Sequence, residues 1–469
     1  MSPVDDEKWN PDSRIAMDGK MAVCKPKARF GSVRVTCKFE GVDTNCASVH
    51  FPGAVNSKFT TTLSFTSPSE KCAMPTYRAI DQNGAVVDPN CKSLGMSDEE
   101  ILKIYNSMLT ISILDPIMYQ AQRQGRLSFY MVSAGEEGIA VGSASALKGG
   151  RPGEEGDKGD VIFAQYREAG VFAYRGFTLD EFMNQLFANR LDKGQGRNMP
   201  VHYGSRELNI HTISSTLATQ IPQAAGAAYA LKLQHLQNPE DVPRRVVACY
   251  FGEGAASEGD FHAALNIAAT RNCPVVFICR NNGFAISTPT LEQYRGDGIA
   301  SRGIGYGIDT IRVDGNDVFA VREATLRARE MALEGDMKPV LIEAMSYRVS
   351  HHSTSDDSSK YREVREVETW KRKDNPITRL RKWMENKRIW NEEREQEAQK
   401  RIKANILKAF NKAEKEKRPP IRALFEDVYE EVTEEQVEQM EKLKDVLERY
   451  AGEYDVDNYE GGRESLNKE

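Results

Sequence analysis

The chain has 469 residues, enough for one large or two ordinary domains. A net charge of -6 and a pI near 5.9 give no reason to expect a nucleic-acid partner. No run of 18 or more apolar residues occurs, so no membrane span is expected and the reading is a soluble intracellular protein.

Residues 1–14 are acidic, and Lys20 to Lys38 is basic with one apolar patch, so residues 1–50 are expected to be a poorly ordered segment. Five of the eight cysteines fall before position 92, with neither a CxxC pair nor a secretory signal, and they are expected to stay reduced. The glycine- and charge-rich stretch from Lys148 to Gly159 predicts a surface loop ahead of a strand at Val161-Ile162-Phe163. Thr212 to Pro222 then leads into a small-residue helix, Gln223 to Leu233. Apolar runs predict strands at Val246 to Phe251, Val275 to Cys279 and Val340 to Met345, with Cys249 and Cys279 as buried free thiols. Short apolar strands alternating with helical patterns indicate an α/β fold, a parallel sheet with helices on both faces, over residues 51–360. From Tyr361 the text changes to strongly charged helical segments anchored by Trp370, Leu380, Trp383 and Trp390. This charged helical C-terminal extension, residues 361–469, has solvated faces or faces packed on a partner subunit.

The chemistry concentrates at Gly252-Glu253-Gly254. These residues follow one strand, and Phe261, Ala264, Leu265 and Ala268 fall at helical spacing after them, so the glycines sit on a strand-to-helix turn. Asn281-Asn282 ends the next strand, and Asn282 lies 29 residues after Glu253. A carboxylate and a carboxamide at the carboxyl ends of two strands of an open sheet face the crevice where ligands of such sheets bind. Mg²⁺ takes oxygen ligands and keeps places for phosphate and water, so Glu253, Asn282 and the Phe284 carbonyl suit a cation holding a diphosphate. A dinucleotide turn is the alternative. It needs glycine where Ser257 stands and an acidic residue at the end of the second strand, where the chain has Arg280-Asn281-Asn282.

These residues carry a resemblance. Tyr250 to Asp260 (YFGEGAASEGD) and Arg280 to Pro289 (RNNGFAISTP) resemble the thiamin diphosphate motif, with Gly-Glu-Gly as a variant of Gly-Asp-Gly. With Gln165 to Gly170 (QYREAG), Met199 to Gly204 (MPVHYG) and His351 to Asp357 (HHSTSDD), the chain resembles alpha subunits of branched-chain 2-oxoacid dehydrogenases from about Phe51 to about Tyr454. Arg123 to Tyr130 and Gly135-Glu-Glu-Gly138 look like the branched-chain rather than the pyruvate type. The pattern breaks at the 148–159 insertion, and Met1 to Glu7 lacks the arginine-rich, acid-poor character of a mitochondrial presequence.

The resemblance implies a thiamin diphosphate-binding fold with Gln165, Tyr166, Arg167, Ser215, Leu217, Gly252, Glu253, Gly254, Ala255, Arg280, Asn282 and His352 on the cofactor side. Glu253, Asn282 and Phe284 would hold Mg²⁺, and Ser214, Thr216, Thr219 and Gln220 would hold K⁺, although the family usually has proline at the position of Thr216. Phe129, Tyr166 and Leu217 would form the wall for a branched aliphatic side chain. Arg167 and Arg280 suit diphosphate clamps or structural ion pairs, and His202 a structural or a substrate-side role. His352 would be catalytic, a histidine of near-neutral pKa donating a proton to, or stabilising charge on, the intermediate.

The implied activity is oxidative decarboxylation of branched-chain 2-oxoacids in amino-acid catabolism, with acyl transfer to a lipoyl-bearing acyltransferase, in the mitochondrial matrix. The domain that grips the aminopyrimidine ring has no counterpart here, so the resemblance implies a beta subunit in an alpha2-beta2 heterotetramer. It also implies phosphorylation at Ser353 by a regulatory kinase, reversed by a phosphatase. The second serine of the family's switch is replaced by Glu363, which puts a two-site switch in doubt. A pyruvate-type alpha subunit and an NAD-linked dehydrogenase are the alternatives, with a non-catalytic scaffold as a third.

Overall fold

A computed structural model describes residues 48–51, 54–58, 63–65, 67, 73–149, 159–426 and 428–467. All of the expected N-terminal segment but its last three residues, which are strand, most of the 148–159 insertion and four of the N-terminal cysteines therefore lie outside the described residues. Residues Met1–Glu70 and Lys71–Glu469 form two separate units. In the first, β1 (Ser48–Phe51) pairs antiparallel with β2 (Ala54–Lys58).

The second unit runs β3 (Thr76–Tyr77), α1 (Asp98–Arg123), α2 (Glu137–Ala144), β4 (Val161–Phe163), α3 (Ala169–Arg175), α4 (Leu179–Leu186), β5 (Ile210–His211) and α5 (Gln220–Gln237). It continues through β6 (Val247–Gly252), α6 (Gly259–Arg271), β7 (Val275–Asn281), the hairpin of β8 (Phe284–Ala285) and β9 (Thr288–Pro289), α7 (Thr290–Gln293) and α8 (Ala300–Gly305). Then come β10 (Asp309–Asp314), α9 (Val318–Leu333), β11 (Val340–Met345), α10 (Val364–Lys373), α11 (Pro376–Asn386), α12 (Glu392–Ala413) and α13 (Glu434–Arg449).

Among the described residues the main sheet has order β3-β10-β11-β7-β6-β4-β5, and every pair is parallel. Strand alternation divides its side chains between two cores. Ala248, Tyr250, Val276, Ile278 and Ile342 join α1, α2, α3 and α9 on one face, whereas Cys249, Phe251, Phe277, Cys279 and Leu341 meet α5 and α6 on the other. Burial on both faces explains why these strands read as continuous apolar runs. Cys249 and Cys279 are free and buried, as the strand pattern predicts.

The strand order reverses between β4 and β6. From β4 the chain moves outward to β5, then returns to the other side of β4 for β6 and continues to β7. The crevice outside the carboxyl ends of β4 and β6 is therefore the switch point at which sheets of this kind bind ligands. The Gln165 and Gly252 segments meet there.

Three expectations are modified. The small-residue helix begins at Gln220 rather than Gln223. Pro222 falls in its first turn, where the missing N–H has no intrahelical acceptor to satisfy. Leu380, Trp383 and Trp390 are buried in the main core, but Trp370 is 38% exposed and lies instead flat on Tyr347, ring centroids 5.2 Å apart. Last, α1 has the length and hydropathy to cross a membrane even though no unbroken apolar run of that length exists. Ten of its residues, from Ile101 to Ala121, are buried within the unit.

Beyond residue 360, α11 and α12 bury Leu380, Met384, Ile402, Ile406 and Phe410 in the same core as α1. Ile421, Met440, Leu447 and Leu466 form a small separate cluster.

Candidate functional site

Gln165, just after β4, turns its side chain to β6, and its Oε1 accepts the Gly252 N–H at 2.8 Å. This fixes the start of the glycine turn across the switch point. A Cβ on Gly252 would meet nothing nearer than 3.7 Å, whereas a Cβ on Gly254 would come within 2.7 Å of Ala285 Cβ. The two glycines thus have different reasons: Gly252 leaves space open, and Gly254 admits the β8 hairpin against the turn. Ala255 follows, buried, in a short 3₁₀ turn before α6.

Glu253 is 2% exposed. Its Oε2 accepts the Asn282 N–H at 3.4 Å, and its Oε1 is buried with no hydrogen-bond partner. Burial raises its carboxyl pKa to about 7, despite the nearby Arg280 charge. Asn282 Oδ1 accepts the Phe284 N–H at 3.2 Å, and its Nδ2 donates to Glu136 Oε1 at 3.0 Å. Asn281, with opposite facing, leaves this group and donates to Glu343 at 2.8 Å and to the Tyr294 hydroxyl at 3.1 Å.

Arg280 settles against two carboxylates, Glu168 and Glu136, each at 2.9 Å. Burial opposes its charge, but these two neighbours hold the guanidinium above its usual pKa. Its Nη2 remains buried and unpartnered. Arg280 is therefore a structural ion pair that keeps one free donor.

A second group lies on the loop after β11. Arg167 Nη2 donates to the His352 carbonyl at 2.6 Å and lies 3.0 Å from His352 Nδ1, while its Nη1 donates to the Val132 carbonyl. Guanidinium only donates, so Nδ1 accepts and the imidazole proton sits on Nε2. Burial, followed by the Arg167 and Arg348 charges, lowers the His352 pKa to about 3. The near-neutral pKa expected from the sequence is corrected: this ring is neutral at pH 7 because it is buried and two guanidiniums face it. Tyr166 stands edge-on to it at 6.0 Å.

Arg348, wholly buried, joins this loop to the hairpin. It donates to the Ile286 carbonyl at 2.7 Å and to the Tyr361 hydroxyl at 2.8 Å, and its Nη1 is 3.5 Å from the Phe284 carbonyl. Tyr361 and the His352 N–H both donate to Asp356 Oδ2, at 2.6 and 2.7 Å. Thr354 exchanges bonds with the Tyr130 backbone at 3.0 and 3.1 Å. Ser353, on this pinned loop, is 7% exposed.

Ser214 Oγ, Thr216 and Thr219 Oγ1 are brought together, with Thr219 donating to the Thr216 carbonyl at 2.7 Å and lying 3.2 Å from Ser214 Oγ. Gln220 turns its amide nitrogen to the Tyr250 carbonyl at 3.0 Å. Ser215 contacts His202 Nε2 at 3.0 Å, and His202 Nδ1 meets the Pro200 carbonyl at 3.1 Å, so the Ser215 hydroxyl is the donor. Phe129 and Tyr166 are half-buried against the main core, while Leu217 is 39% exposed. Among the described residues no three His, Cys, Asp or Glu side chains gather as a metal site. Any cation here would rely on mixed carboxylate, amide and carbonyl oxygens, the donor set of a hard ion.

Three residues that hold the site together escaped the sequence reading: Glu136, Glu168 and Arg348. Glu168 lay inside the Gln165–Gly170 motif and Glu136 between two glycines, but their partners are distant in sequence.

The sequence model of the dehydrogenase E1 component matches residues 105–422. The chain belongs to that family. Mouse 2-oxoisovalerate dehydrogenase subunit alpha, mitochondrial, is 50% identical over 410 residues, 87% of this chain and 88% of the relative. The protein of the same name from Caenorhabditis elegans is 49% identical over 407 residues, covering 87% and 89%. The Arabidopsis thaliana alpha 2 subunit is 50% identical over 380 residues, covering 81% and 76%. Membership of the E1 component family makes thiamin diphosphate the cofactor and a beta subunit of a multienzyme complex the partner.

Proposed function

We propose that this chain is the alpha subunit of an E1 component that oxidatively decarboxylates branched-chain 2-oxoacids and passes the acyl group to a lipoyl-bearing acyltransferase. The observation that carries the reading is that two buried groups at the ends of the neighbouring strands β6 and β7, Glu253 Oε1 and Arg280 Nη2, each lack a partner beside the strand-order switch. One is an acceptor suited to a divalent cation and the other a donor suited to an anion, as a metal diphosphate requires. The names of the relatives, each a 2-oxoisovalerate dehydrogenase, support the branched-chain substrate.

Glu253, Asn282 and the Phe284 carbonyl would hold Mg²⁺. Gln165, Gly252, Gly254, Ala255 and Arg280 would border the diphosphate. Bound thiamin diphosphate supplies the carbon nucleophile for the 2-oxo carbon and takes up the electron pair left by carbon dioxide. The protein's share is placement and charge. His352, with its proton on Nε2, would offer a neutral hydrogen bond to the oxygen of the reacting carbonyl, and Arg167 keeps that tautomer in place. Tyr166, Phe129 and Leu217 would line the aliphatic side chain of the substrate. Leu217 and Ser215 are exposed, which suits surfaces that a beta subunit would close. Ser214, Thr216 and Thr219 would surround K⁺, with Gln220 nearby. The assembly would be an alpha2-beta2 heterotetramer in the mitochondrial matrix.

Ser353 is proposed as a phosphorylation site. Its burial means that a kinase reaches it only when the Asp356 and Thr354 bonds open, and the added charge beside His352 and Asp356 would hold the loop open. Absence of label at Ser353 after treatment with the matching kinase would reject this.

The test of the function is co-expression with a candidate beta subunit and assay on branched 2-oxoacids and pyruvate. Turnover of the branched acids is expected. Activity on pyruvate alone would replace the substrate reading and leave the cofactor reading in place.

A further inference from the structure

Asparagine is a poor metal ligand unless something decides which way its amide points, because its oxygen and nitrogen exchange places on a half-turn about χ2. The Asn282 amide has such an arbiter in Glu136. Glu136 is 1% exposed, and its Oε1 accepts from Asn282 Nδ2 at 3.0 Å while Oε2 lies 2.9 Å from Arg280 Nη1. A carboxylate only accepts, so the nitrogen of Asn282 must face it. Oδ1 is thereby turned the other way, to the side of the Phe284 N–H.

We infer that Glu136 is a positioning residue: it selects the Asn282 amide orientation that presents oxygen to the divalent cation, and couples that choice to Arg280. The inference rests on the metal–diphosphate reading above.

Replacement by glutamine shows why the charge matters. In Glu136→Gln the side chain keeps one acceptor oxygen, and the Arg280 guanidinium is the stronger claimant for it. The new amino group would then face Asn282, which must flip to offer it an oxygen and so turn an N–H to the cation site. Glu168, the other partner of Arg280, has no bond to Asn282, so its loss perturbs the guanidinium without turning the amide.

The experiment uses the alpha–beta complex with thiamin diphosphate and reads Mn²⁺ binding directly by electron paramagnetic resonance, beside the Mg²⁺ dependence of activity. Glu136→Gln is expected to weaken Mn²⁺ binding by about 10- to 100-fold, the range for residues that orient metal ligands, with kcat recovered at saturating Mg²⁺. Glu168→Gln, which loosens Arg280 and not the Asn282 amide, should weaken Mn²⁺ binding less than Glu136→Gln does, and Asn282→Asp should not rescue it. Adding Asn282→Asp to Glu136→Gln should restore Mn²⁺ binding, because a carboxylate presents oxygen in either orientation. Equal weakening by the two glutamine variants, or no rescue by Asn282→Asp, would overturn the inference. If Glu136→Gln does not assemble, Glu136→Asp is the second probe; it keeps the charge but falls a methylene short of Asn282, and unaltered Mn²⁺ affinity there also overturns it. Failure of the parent complex to bind Mn²⁺ at all would instead remove the metal reading.

Discussion

The Asn282 N–H donates to Glu253 Oε2 at 3.4 Å, so one carboxylate oxygen is tied to the neighbouring strand while Oε1 stays buried and unpaired. A lone buried acceptor is unfavourable until a cation or a proton meets it. Glu253→Gln keeps the shape and removes the charge. At a hundredfold excess over its dissociation constant, the metal–cofactor pair is expected to stabilise the parent complex by about 2.7 kcal/mol against unfolding. The variant should show no such gain in a thermal melt with thiamin diphosphate and Mg²⁺. Undiminished protection would remove Glu253 from the metal site.

The glycines predict opposite outcomes. In Gly254→Ala the new methyl would lie 2.7 Å from Ala285 Cβ, and neither atom can move without its backbone. Overpacking of this kind costs about 1–3 kcal/mol, so the cofactor-free complex should melt earlier. Gly252→Ala meets nothing within 3.7 Å and should melt normally, yet bind thiamin diphosphate more weakly if phosphate approaches that backbone. Calorimetry with and without cofactor separates the two.

The sequence reveals these elements unevenly, for physical reasons. Strands β6, β7 and β11 are legible because both their faces are buried, so they read as unbroken apolar runs. The edge strands β3 and β5 have two residues each, and β10 carries Asp309, Arg312 and Asp314, so their hydrogen bonds leave little compositional mark. Glu253 and Asn282 stand out through the turn chemistry between them. Glu136 does not: its bond to Asn282 spans 146 residues, and nothing near it in the chain announces the partner. The His352 pKa was misjudged for the same reason, since Arg167 lies 185 residues away.

Asp115, inside α1, predicts a link between the core and the loop that carries His352. It accepts from the Tyr130 hydroxyl at 2.8 Å and the Ser133 N–H at 2.6 Å, and Tyr130 in turn pairs with Thr354. Asp115→Ala orphans two buried donors, an expected loss of about 2–5 kcal/mol. The loop around His352 should also become accessible to protease before the rest of the unit does. Limited proteolysis showing the same cleavage pattern and rate as the parent would deny the link.

His352 gives a pH dependence of definite sign. Its pKa is about 3 in the folded chain against 6.5 when unperturbed. Between those values the unfolded chain holds a proton that the folded chain lacks, so falling pH favours unfolding. Well above pH 6.5 both states are neutral and the residue contributes no slope. The contribution is present above the unfolded pKa and is lost as pH falls toward 3. In His352→Gln this proton is gone, and the stability of the variant should fall less steeply with acidity over that window, by at most about 1.4 kcal/mol per pH unit. Arg167, Arg348, Asp356 and Arg280 face the ring in the parent; those side chains remain in the variant, so their own titrations largely cancel in the comparison. Denaturant unfolding at pH 7 and pH 5 measures the difference. A parent that loses no more stability than the variant would mean that the folded ring takes up its proton as readily as the unfolded one, which overturns the lowered pKa.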